Sequence, residues 1–463
     1  MTAPLPPSVP LPWWRLLREI RNYHTAPELF HDLAGPVARV QLGPASLVPA
    51  VIVTTSPQGA HDVLTAAPAA VDKQTGIVLQ LRKVVGDFLF DLPHDEWLPR
   101  RKALQPLFTK EHIKCYAGHM ADAADAAIAE WDDSTVDLDA AMRRLTLTVL
   151  GRSVLGMDLG DRADQIGAAL LCVARYSADR GMRPVRAPRW LPTPARRRVR
   201  RAVELRHSLT DEAITACRAD PEHKAPLVRQ LLATVDPDTG APLTPKAVGA
   251  ELGQFLLAGH DTTSTTLTYA LWQLGRHPDL QDRVAAEVRA RGDRPLGVDD
   301  VAHLGFTVQV LHEALRLCPP GAAVGRHARV DVVVDGFRAP AGSLIIVGIR
   351  AIHRDPALWS DAASFDPDRF APGRPKTDRW QFLPFGGGPR SCIGDHFAML
   401  EATLGLATIV RAVEITSLDA EFPLAVPFTM VAGGPIRARV RARHSASTPP
   451  TAPDKPRSRI PDR

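Results

Sequence analysis

The chain has no apolar run that approaches the roughly 20 residues needed to cross a bilayer, and no signal-peptide pattern at its start. It also has little cysteine. Only five cysteines occur in 463 residues, and they are scattered, with no C-x-x-C pair and no zinc-like spacing. Structural disulfides and a zinc site are therefore not expected, and a cytoplasmic location is predicted. No internal repeat is seen either.

No nucleic-acid-binding motif accompanies the mild excess of basic residues, a net charge of +5. Part of the excess lies in Arg-Arg-Arg-Val-Arg-Arg at residues 196–201. This run is predicted to be a solvated helix face, with contact to an anionic membrane surface as the alternative. A hydrophobic content of 45% is ordinary for a soluble globular protein that buries a large core.

Helical patterns occupy most of the chain and β-rich runs are short, which predicts a mainly α fold with small β-sheets. Residues 1–12 are rich in proline and are predicted to form a flexible arm. Residues 444–463 are rich in Pro, Ser and Arg and are predicted to be a disordered tail.

Two stretches are harder to assign from the pattern. Residues 71–93 show no clean period and are predicted to be a long irregular loop. The β-rich runs 329–334 and 343–349 are predicted to be strands joined through Asp335 and Gly336.

Residues 385–394 read Phe-Gly-Gly-Gly-Pro-Arg-Ser-Cys-Ile-Gly, and a helical pattern follows to about residue 411. The glycines and proline end any regular element, so Cys392 is expected in a tight loop just before a helix N-terminus. The free amides and positive dipole end there favour a thiolate, which suits a metal ligand. Arg390 adds a fork of donors for an acidic group. The alternative is that Cys392 is a small buried hydrophobe.

The longest helical pattern begins at Thr244-Pro245, a capping residue followed by proline, and runs to about Leu274. Thirty residues would span about 45 Å. Its middle reads Ala-Gly-His-Asp-Thr-Thr, residues 258–263. These residue types are poor choices for the centre of a buried helix, so a functional interpretation is favoured.

The pattern F-x-x-G-x-R-x-C-x-G resembles the haem-binding loop of the cytochrome P-450 family; it is filled at Phe385, Gly388, Arg390, Cys392 and Gly394. The resemblance implies haem b with Cys392 as its thiolate ligand. It also implies one haem domain over residues 13–443. The haem would lie between the long central helix and the helix after the cysteine loop. Without an apolar anchor, the chain resembles the soluble bacterial members.

The central-helix motif is also filled, and the resemblance gives its residues catalytic roles. Gly259 would leave a groove for dioxygen, Thr262 would hydrogen-bond the oxygen being activated, and Asp261 would help to relay protons. His260 fills the variable position and is expected to point away from the haem.

Residues near Trp97 are expected to hold a haem propionate, because Trp97 and Arg101 stand four apart on one helix face. By resemblance, Arg101 would bind the carboxylate, Trp97 would donate its indole N–H, and Arg326 would be a second propionate ligand. Arg100 and Lys102 are expected to face solvent, as candidate docking charges for the electron-transfer partner.

The resemblance also implies a buried structural ion network of Glu313, Arg316 and Arg369, which would fix the chain before the cysteine loop. No charged residue stands out as a substrate anchor. The residues expected to line the substrate pocket are Ala258, Thr263, Ala322, Ala323, Val324, Met430 and Val431.

The resemblance implies a haem-thiolate monooxygenase that inserts one oxygen atom of O2 into a lipophilic small molecule of secondary metabolism. A terpenoid, fatty acid, steroid or polyketide would fit the apolar pocket segments. No flavin or iron–sulfur domain is expected in the chain, so a separate ferredoxin and ferredoxin reductase, or a similar donor, are the implied partners. The alternatives are a peroxygenase or isomerase that needs no reductase, and a non-catalytic haem-binding protein.

Overall fold

The structure is a computed structural model that describes residues 3–22, 24–44, 48–131, 133–183, 186–188, 190–235 and 240–443. Helices make up most of this part of the chain. In chain order they are α1 Trp13–Glu19, α2 Ala26–Ala34, α3 Pro57–Leu64, α4 Gly76–Val85, α5 His94–Leu104, α6 Lys110–Ile113, α7 Ala117–Ala129, α8 Leu138–Leu150, α9 Ala163–Met182, α10 Pro194–Ala219, α11 Pro226–Ala233, α12 Pro245–Leu274, α13 Pro278–Arg289, α14 Gly305–Leu317, α15 Ile349–Arg354 and α16 Asp395–Ala412.

The strands are short and form small sheets, as the fold class predicted. In chain order they are β1 Val37–Val40, β2 Val51–Thr54, β3 Val71–Asp72, β4 Thr135–Asp137, β5 Val324–Ala328, β6 Val332–Val334, β7 Phe337–Ala339, β8 Leu344–Val347, β9 Val413–Ser417, β10 Leu424–Ala425, β11 Val431–Ala432 and β12 Arg437–Ala442. The largest sheet has the order β1-β2-β8-β5-β3, in which only β2 and β8 are parallel.

Helix α12 runs through the centre of the largest hydrophobic cluster and packs against α8, α10, α14 and α16. Its start follows the sequence rules, because the Thr244 hydroxyl accepts a hydrogen bond from the Ala247 amide at 3.2 Å and Pro245 occupies the first turn. Helix α16 begins directly after the cysteine loop and packs along α12. The fold therefore sets the cysteine loop and the middle of α12 on neighbouring elements.

The two β-rich runs do not pair as predicted. Asp335 and Gly336 have φ of 47° and 78°, a geometry that suits the two-residue turn of a hairpin. This turn joins β6 to β7 as an isolated pair, whereas β8 lies between β2 and β5 in the large sheet. The prediction was wrong because the partner of β6 is the next three residues after the turn.

The segment predicted as an irregular loop contains the short strand β3 and the helix α4. Val78, Leu81 and Val85 of α4 are buried, at three- and four-residue spacing, and the helix packs on α9. The sequence did not predict this ten-residue amphipathic helix, because Gly76, Gln80 and Gly86 interrupt the apolar periodicity.

The N-terminal segment is not a free arm. The Val9 amide donates to the Arg39 carbonyl at 3.0 Å, the Arg39 amide donates to the Pro7 carbonyl at 2.8 Å, and Val9 is buried in a core cluster with Phe30. The prolines lack amide donors, but their carbonyls still accept, so this segment joins β1 as an edge. The predicted tail, residues 444–463, lies outside the described residues.

The basic run lies in the first turns of α10. Arg197, Arg198, Arg200 and Arg201 are exposed, whereas Val199 is buried between them. This arrangement is that of a solvated helix face. Arg196 at the start of the run instead donates to the carbonyls of Ala187 and Leu191 and closes the preceding loop onto the helix.

A buried ion network joins α14 to the segment that leads to the cysteine loop. Arg316 donates two hydrogen bonds of 2.7 Å to the Glu313 carboxylate, and both side chains are fully buried. Arg369 lies 3.3 Å from the same carboxylate. Arg316 also donates to the His353 and Ala362 carbonyls, so its five donors are largely used within the fold.

Replacement of Glu313 by Gln is expected to destabilise the protein by about 3–5 kcal/mol, because the buried Arg316 loses its counter-charge. Asp368→Asn is the matched control. It removes the carboxylate of a second two-bond Arg pair, Arg283–Asp368, whose side chains are about half exposed, and is expected to cost less than about 1 kcal/mol. Denaturant unfolding measures both, and equal losses would contradict a special role for the buried network.

Candidate functional site

Helix α12 is buried along almost its whole length, with one gap. Between Val248 and Gly275 every residue is buried except Phe255, Ala258, Gly259 and Thr262. These four stand at i, i+3, i+4 and i+7, so they form a single stripe on the helix. We call them the open face of α12. Ala258 is the most exposed member, which is unusual for an apolar residue at the centre of a core helix.

The polar residues of the central motif satisfy themselves within the helix. The Thr262 hydroxyl donates to the Ala258 carbonyl at 2.8 Å, and those of Thr265 and Thr266 donate to the Asp261 and Thr262 carbonyls at 2.8 and 2.9 Å. Such back-bonding removes the cost of buried hydroxyls and loosens the helix locally. The Thr262 oxygen therefore lies on the open face. Its proton is donated to the Ala258 carbonyl, so the oxygen can still accept a hydrogen bond through its lone pairs.

Asp261 points to a different side of α12 from Thr262, because consecutive helix residues do not share a face. Its carboxylate is buried and accepts a 2.7 Å hydrogen bond from Arg143 of α8, which also binds Asp139 at 2.7 Å. The structure thus places the acid in an ion pair between two helices and leaves the alcohol on the open face.

Gly259 and His260 both serve the contact between α12 and α8. A Cβ built on Gly259 would lie 2.9 Å from Leu150 Cδ2, so a larger residue would require the Leu150 side chain to shift. His260 is fully buried, with Nδ1 3.1 Å from the Thr146 hydroxyl, and burial lowers its pKa to about 4. It is therefore neutral at pH 7 and packs away from the open face.

Thr263 faces the opposite helix, α16, where its hydroxyl neighbours the carboxyl of Glu401. Thr263 is buried and does not belong to the open face. Glu401 is buried too, with no charged partner among the described residues, and burial raises its pKa well above the ordinary value. A buried acid between the central helix and the helix after the cysteine loop was not predicted, because Glu is a common helix residue.

The cysteine loop needs its glycines. Gly386 and Gly388 have φ of 71° and 69°, a region that favours glycine. A Cβ on Gly388 would lie 2.1 Å from the Leu64 carbonyl oxygen, and one on Gly387 would lie 2.6 Å from the Trp380 ring. The Cys392 amide donates to the Phe385 carbonyl at 3.0 Å and closes the loop.

Cys392 is exposed although protein surrounds it on most sides. Burial raises the pKa of its thiol, while the Gly394 amide and the charges of Arg101 and Lys73 act in the opposite direction. The helix N-terminus was expected to favour the thiolate, but desolvation dominates in the protein alone. A metal ion bound at the sulfur would favour the thiolate.

Phe108 connects the cysteine loop to the open face of α12. Its ring lies 5.2 Å from the ring of Phe255, and a Cβ on Gly394 would lie 4.0 Å from its Cδ1. Arg101 of α5 donates to the Ser391 carbonyl at 3.1 Å, which ties the loop to a third element. The loop of the exposed thiol and the open face therefore both border Phe108, and we call this region the cleft.

Four cations converge beside this cleft with few acids to balance them, and we call them the cation cluster: Lys73, Arg101, Arg326 and Arg390. Burial lowers the pKa of Arg326 to about 10. Burial, followed by the charges of Arg326 and Arg101, lowers the pKa of Arg390 to about 10. Lys73, which the sequence did not single out, has its pKa lowered well below the ordinary value by burial and by Arg326 and Arg390.

Arg390 shows how the cluster is held. Its guanidinium stacks over the Trp97 ring at 4.1 Å and donates to the Leu92 carbonyl at 3.0 Å. Its second terminal nitrogen is buried and makes no hydrogen bond within the described protein. Lys73 lies over the Phe90 ring at 3.2 Å. The cluster therefore holds excess positive charge and an unused donor, which fits a ligand that carries carboxylates.

Arg100 was expected to face solvent, and this was wrong. It is buried and donates to the fully buried Glu251 carboxylate of α12 at 2.9 Å, while the Leu89 amide donates to the other oxygen at 3.0 Å. The helix phase explains the error, because Arg100 follows Trp97 by three residues and shares its inward face. The pair binds the segment after α4 to the central helix.

The residues proposed for the pocket occupy different environments. Ala258 is exposed and Val324 half-buried, whereas Ala322, Ala323, Met430 and Val431 are buried. The Met430 amide donates to the Pro320 carbonyl at 2.8 Å, which holds the two segments together. Phe428 was not predicted; its ring lies 6.2 Å from Phe90, and so it joins the late turn to the residue beneath Lys73.

These observations fit haem b as a group. The exposed thiol offers a soft donor for iron, and the cation cluster offers partners for two carboxylates. Apart from Phe255, the open face carries only the small residues Ala258, Gly259 and Thr262, which leaves room for a flat group. The residues that fit are Cys392, Lys73, Trp97, Arg101, Arg326 and Arg390.

Comparison with known proteins agrees with this arrangement. The family model described as Cytochrome P450 matches residues 4–432. Cyclooctat-9-en-7-ol 5-monooxygenase of Streptomyces melanosporofaciens is 32% identical over 81% of this chain and 81% of its own. Pentalenene oxygenase of Streptomyces avermitilis is 30% identical over 87% and 88%, and cyclooctatin synthase of S. melanosporofaciens is 31% identical over the same shares. Among the described residues, no helix is both long and apolar enough to span a membrane.

Replacement of Glu401 by Gln is expected to change how stability depends on pH. The folded-state pKa lies above the unfolded value, so above about pH 4.5 the unfolded chain releases a proton that the folded chain keeps. Wild-type stability should then fall with pH by up to about 1.4 kcal/mol per unit, and Glu401→Gln should not show this loss.

Melting temperatures of both proteins between pH 5 and 8 measure the effect, and the advantage of the Gln variant should grow with pH. Glu414→Gln, at an exposed position, is the control that should follow wild type. Parallel curves for wild type and Glu401→Gln would show that Glu401 does not hold its proton in the folded state.

Proposed function

The chain belongs to the cytochrome P450 family and is a haem-thiolate monooxygenase, and from that premise we propose that Cys392 ligates the iron and that the substrate is a lipophilic terpenoid. One observation carries the ligand assignment. Cys392 presents an exposed thiol in a loop that is otherwise closed, in the same cleft as the open face of α12.

Residues 13–443 form the haem domain in this proposal, and the cation cluster holds the haem propionates. Arg390, Arg326 and Arg101 provide fixed guanidinium donors, and Lys73 adds a fourth charge. Trp97 supports Arg390 by stacking and offers its indole N–H. Phe385, Gly388 and Gly394 shape the loop so that a flat group can approach its backbone. When bound, the haem supplies dioxygen activation and O–O cleavage, which thiolate ligation favours.

The open face of α12 positions dioxygen and protons. Thr262 provides a hydroxyl whose proton is held by the Ala258 carbonyl, so it can accept a hydrogen bond and then pass one on after rotation. Gly259 exposes backbone beside it. Asp261 can take part in proton relay only after its 2.7 Å contact with Arg143 opens, so Arg143 sets when that carboxylate is available.

The proposed substrate class rests on the surroundings of the open face and on the relatives. Ala258 on the open face and Phe428 beside Phe90 offer apolar surface, which suits a lipophilic molecule. Two of the relatives are named for cyclooctat-9-en-7-ol and pentalenene, which favours a terpenoid over the other classes that the sequence leaves open.

The proposed partners are O2 and a separate electron donor such as a ferredoxin with its reductase. A cytoplasmic location is proposed because Cys115, Cys172, Cys217, Cys318 and Cys392 are all free thiols. Product formation with ferredoxin, reductase and NADPH, compared with peroxide alone, tests the monooxygenase against the peroxygenase alternative.

Replacement of Cys392 by Ser is expected to abolish the carbon-monoxide band of thiolate-ligated haem, because the hydroxyl is a hard and weakly acidic donor. Cys115→Ser, at another exposed free cysteine, is the control that should keep the band. The spectrum of reduced protein under carbon monoxide is the measurement. Persistence of the band in Cys392→Ser would assign the ligand to another residue.

Replacement of Thr262 by Ala is expected to keep haem and substrate binding but to lower product formed per NADPH by about tenfold or more, with peroxide released instead. Thr266→Ala is the matched control, since Thr266 is one turn away and makes the same back-bond but is buried. Product and peroxide yields measure the difference. Unchanged coupling in Thr262→Ala would remove Thr262 from proton handling.

A further inference from the structure

Arg143 of α8 binds two carboxylates at once, and the two lie in different surroundings. Its Nε donates to Asp139 Oδ2 at 2.7 Å, and its Nη1 donates to Asp261 Oδ1 at 2.7 Å. Asp139 stands four residues before Arg143 on the same helix, whereas Asp261 belongs to α12. The Asp261 side chain is 3% exposed and that of Asp139 is 16% exposed. One guanidinium therefore bridges a deeply buried acid and an acid nearer the surface.

The bridge leaves one oxygen of Asp139 unused. Oδ1 of this carboxylate is buried and makes no hydrogen bond within the described protein. Burial raises the pKa of Asp139, and the charge of Arg143 acts in the opposite direction. A buried carboxylate oxygen without a donor is costly. Asp139 therefore gains from any second hydrogen bond that Arg143 can give it.

The guanidinium of an arginine can supply that bond. Its Nε and one terminal nitrogen form a fork that matches both oxygens of a carboxylate. The chain uses this fork in Arg144 with Asp164 and in Arg316 with Glu313, where Nε and Nη2 donate to the two oxygens. Arg143 has the same nitrogens and stands directly before one of these arginines in the chain.

In Arg143 the fork is open. Nε donates to Asp139, but Nη2 makes no hydrogen bond with the free oxygen of that carboxylate, and Nη1 is turned to Asp261. A rotation of the side chain would close the fork on Asp139 and withdraw Nη1 from Asp261. The guanidinium then has two arrangements. In one it bridges the two acids, and in the other it serves Asp139 alone.

The two helices do not need to move for this exchange. The Thr146 hydroxyl lies 3.1 Å from Nδ1 of His260 and donates to the Arg143 carbonyl at 3.1 Å, so the backbone of α8 is held to α12 beside the arginine. The Arg143 side chain is 19% exposed, which leaves its outer part in contact with solvent. Only the end of this side chain has to change its partner.

A static role for Arg143 would be to join α8 to α12 by an ion pair. The contact with Asp261 is sufficient for that role. It does not account for a second acid, one helical turn away, that binds the same guanidinium with one oxygen and keeps the other buried and unused.

We propose that Asp139 is a positioning residue that takes over Arg143 and so releases Asp261 for proton transfer. This inference rests on the proposed function and concerns the regulation of the same site. With the fork closed on Asp139, the Asp261 carboxylate loses its cation, and its Oδ1 can take up a proton from solvent. When Arg143 returns, its charge favours the ionised carboxylate, so the proton is given up again.

Crystal structures of holoenzyme variants test the exchange of partners without any substrate. In Asp261→Asn the fork is expected to close on Asp139, with Nε and Nη2 of Arg143 each within about 3.2 Å of one oxygen. In Asp139→Asn, Arg143 should keep its contact with Asp261. An Arg143 side chain that remains on residue 261 in Asp261→Asn, or that turns to solvent, would overturn the proposal.

Turnover gives a second test, with farnesol as the terpenoid probe and ferredoxin, its reductase and NADPH as the electron source. Asp139→Asn is expected to lower kcat about three- to tenfold with KM unchanged, because Arg143 then stays on Asp261. The solvent isotope effect on kcat in D2O should rise, because proton delivery becomes slower. Haem content and the carbon-monoxide spectrum should remain those of wild type, which excludes misfolding as the cause.

Two further variants separate this role from a general loss of stability. Asp164→Asn removes the acid of the neighbouring fork with Arg144, whose side chains are more than half exposed, and should leave kcat and the isotope effect unchanged. In the Asp261→Asn background, Asp139→Asn should have no further effect on kcat, because the acid that Arg143 controls is absent. Equal losses from Asp139→Asn in both backgrounds would show that Asp139 acts only through the fold.

The outcomes distinguish the inference from the proposed function. Absence of farnesol oxidation by wild type would count against the terpenoid assignment, and the position of Arg143 in the variant structures would still decide the inference. Normal farnesol oxidation with an unchanged kcat in Asp139→Asn would overturn the inference and leave the monooxygenase function intact.

Discussion

Positive charge in a packed interior is the constraint on which this structure depends. Where a buried cation meets a carboxylate of the chain, the pair joins elements of the fold, as in Arg316 with Glu313 and Arg100 with Glu251. Where it meets none among the described residues, as in the cation cluster, it lies beside the cysteine loop. Because an unpaired buried charge is costly, the second group identifies the surfaces that a ligand completes.

Helix α12 separates these functions by its faces. The side that carries His260 and Asp261 packs on α8, and Thr263 meets Glu401 of α16, so much of the motif holds helices together. Only the open face remains for chemistry. One short sequence motif therefore combines residues that position the helix with residues that lie at the cleft. The order of residues in the motif does not show which of them have each role.

The sequence predicted well what local rules determine. Capping at Thr244, the glycine requirements of the cysteine loop and the long helix all follow from residues close in the chain. The errors concern partners far apart: the N-terminal segment binds Arg39, β8 pairs with β2 and β5, and Arg100 reaches Glu251, 151 residues away. No local pattern encodes such contacts, because they depend on how the elements assemble.

Arg206 is different, since its phase in α10 does carry a signal. The buried stripe of this helix runs through Val199, Ala202, Leu209 and Ala213 at three- and four-residue spacing, and Arg206 occupies the one core position in that series that is charged. Arg206 does not stand out in the sequence, because α10 is rich in arginine and an arginine in such a helix is expected to be solvated. A charge at a core position of an amphipathic helix needs partners that offset the cost of its burial. Arg206 finds them in the Val85 carbonyl and in Nε2 of His207, which tie α10 to the end of α4.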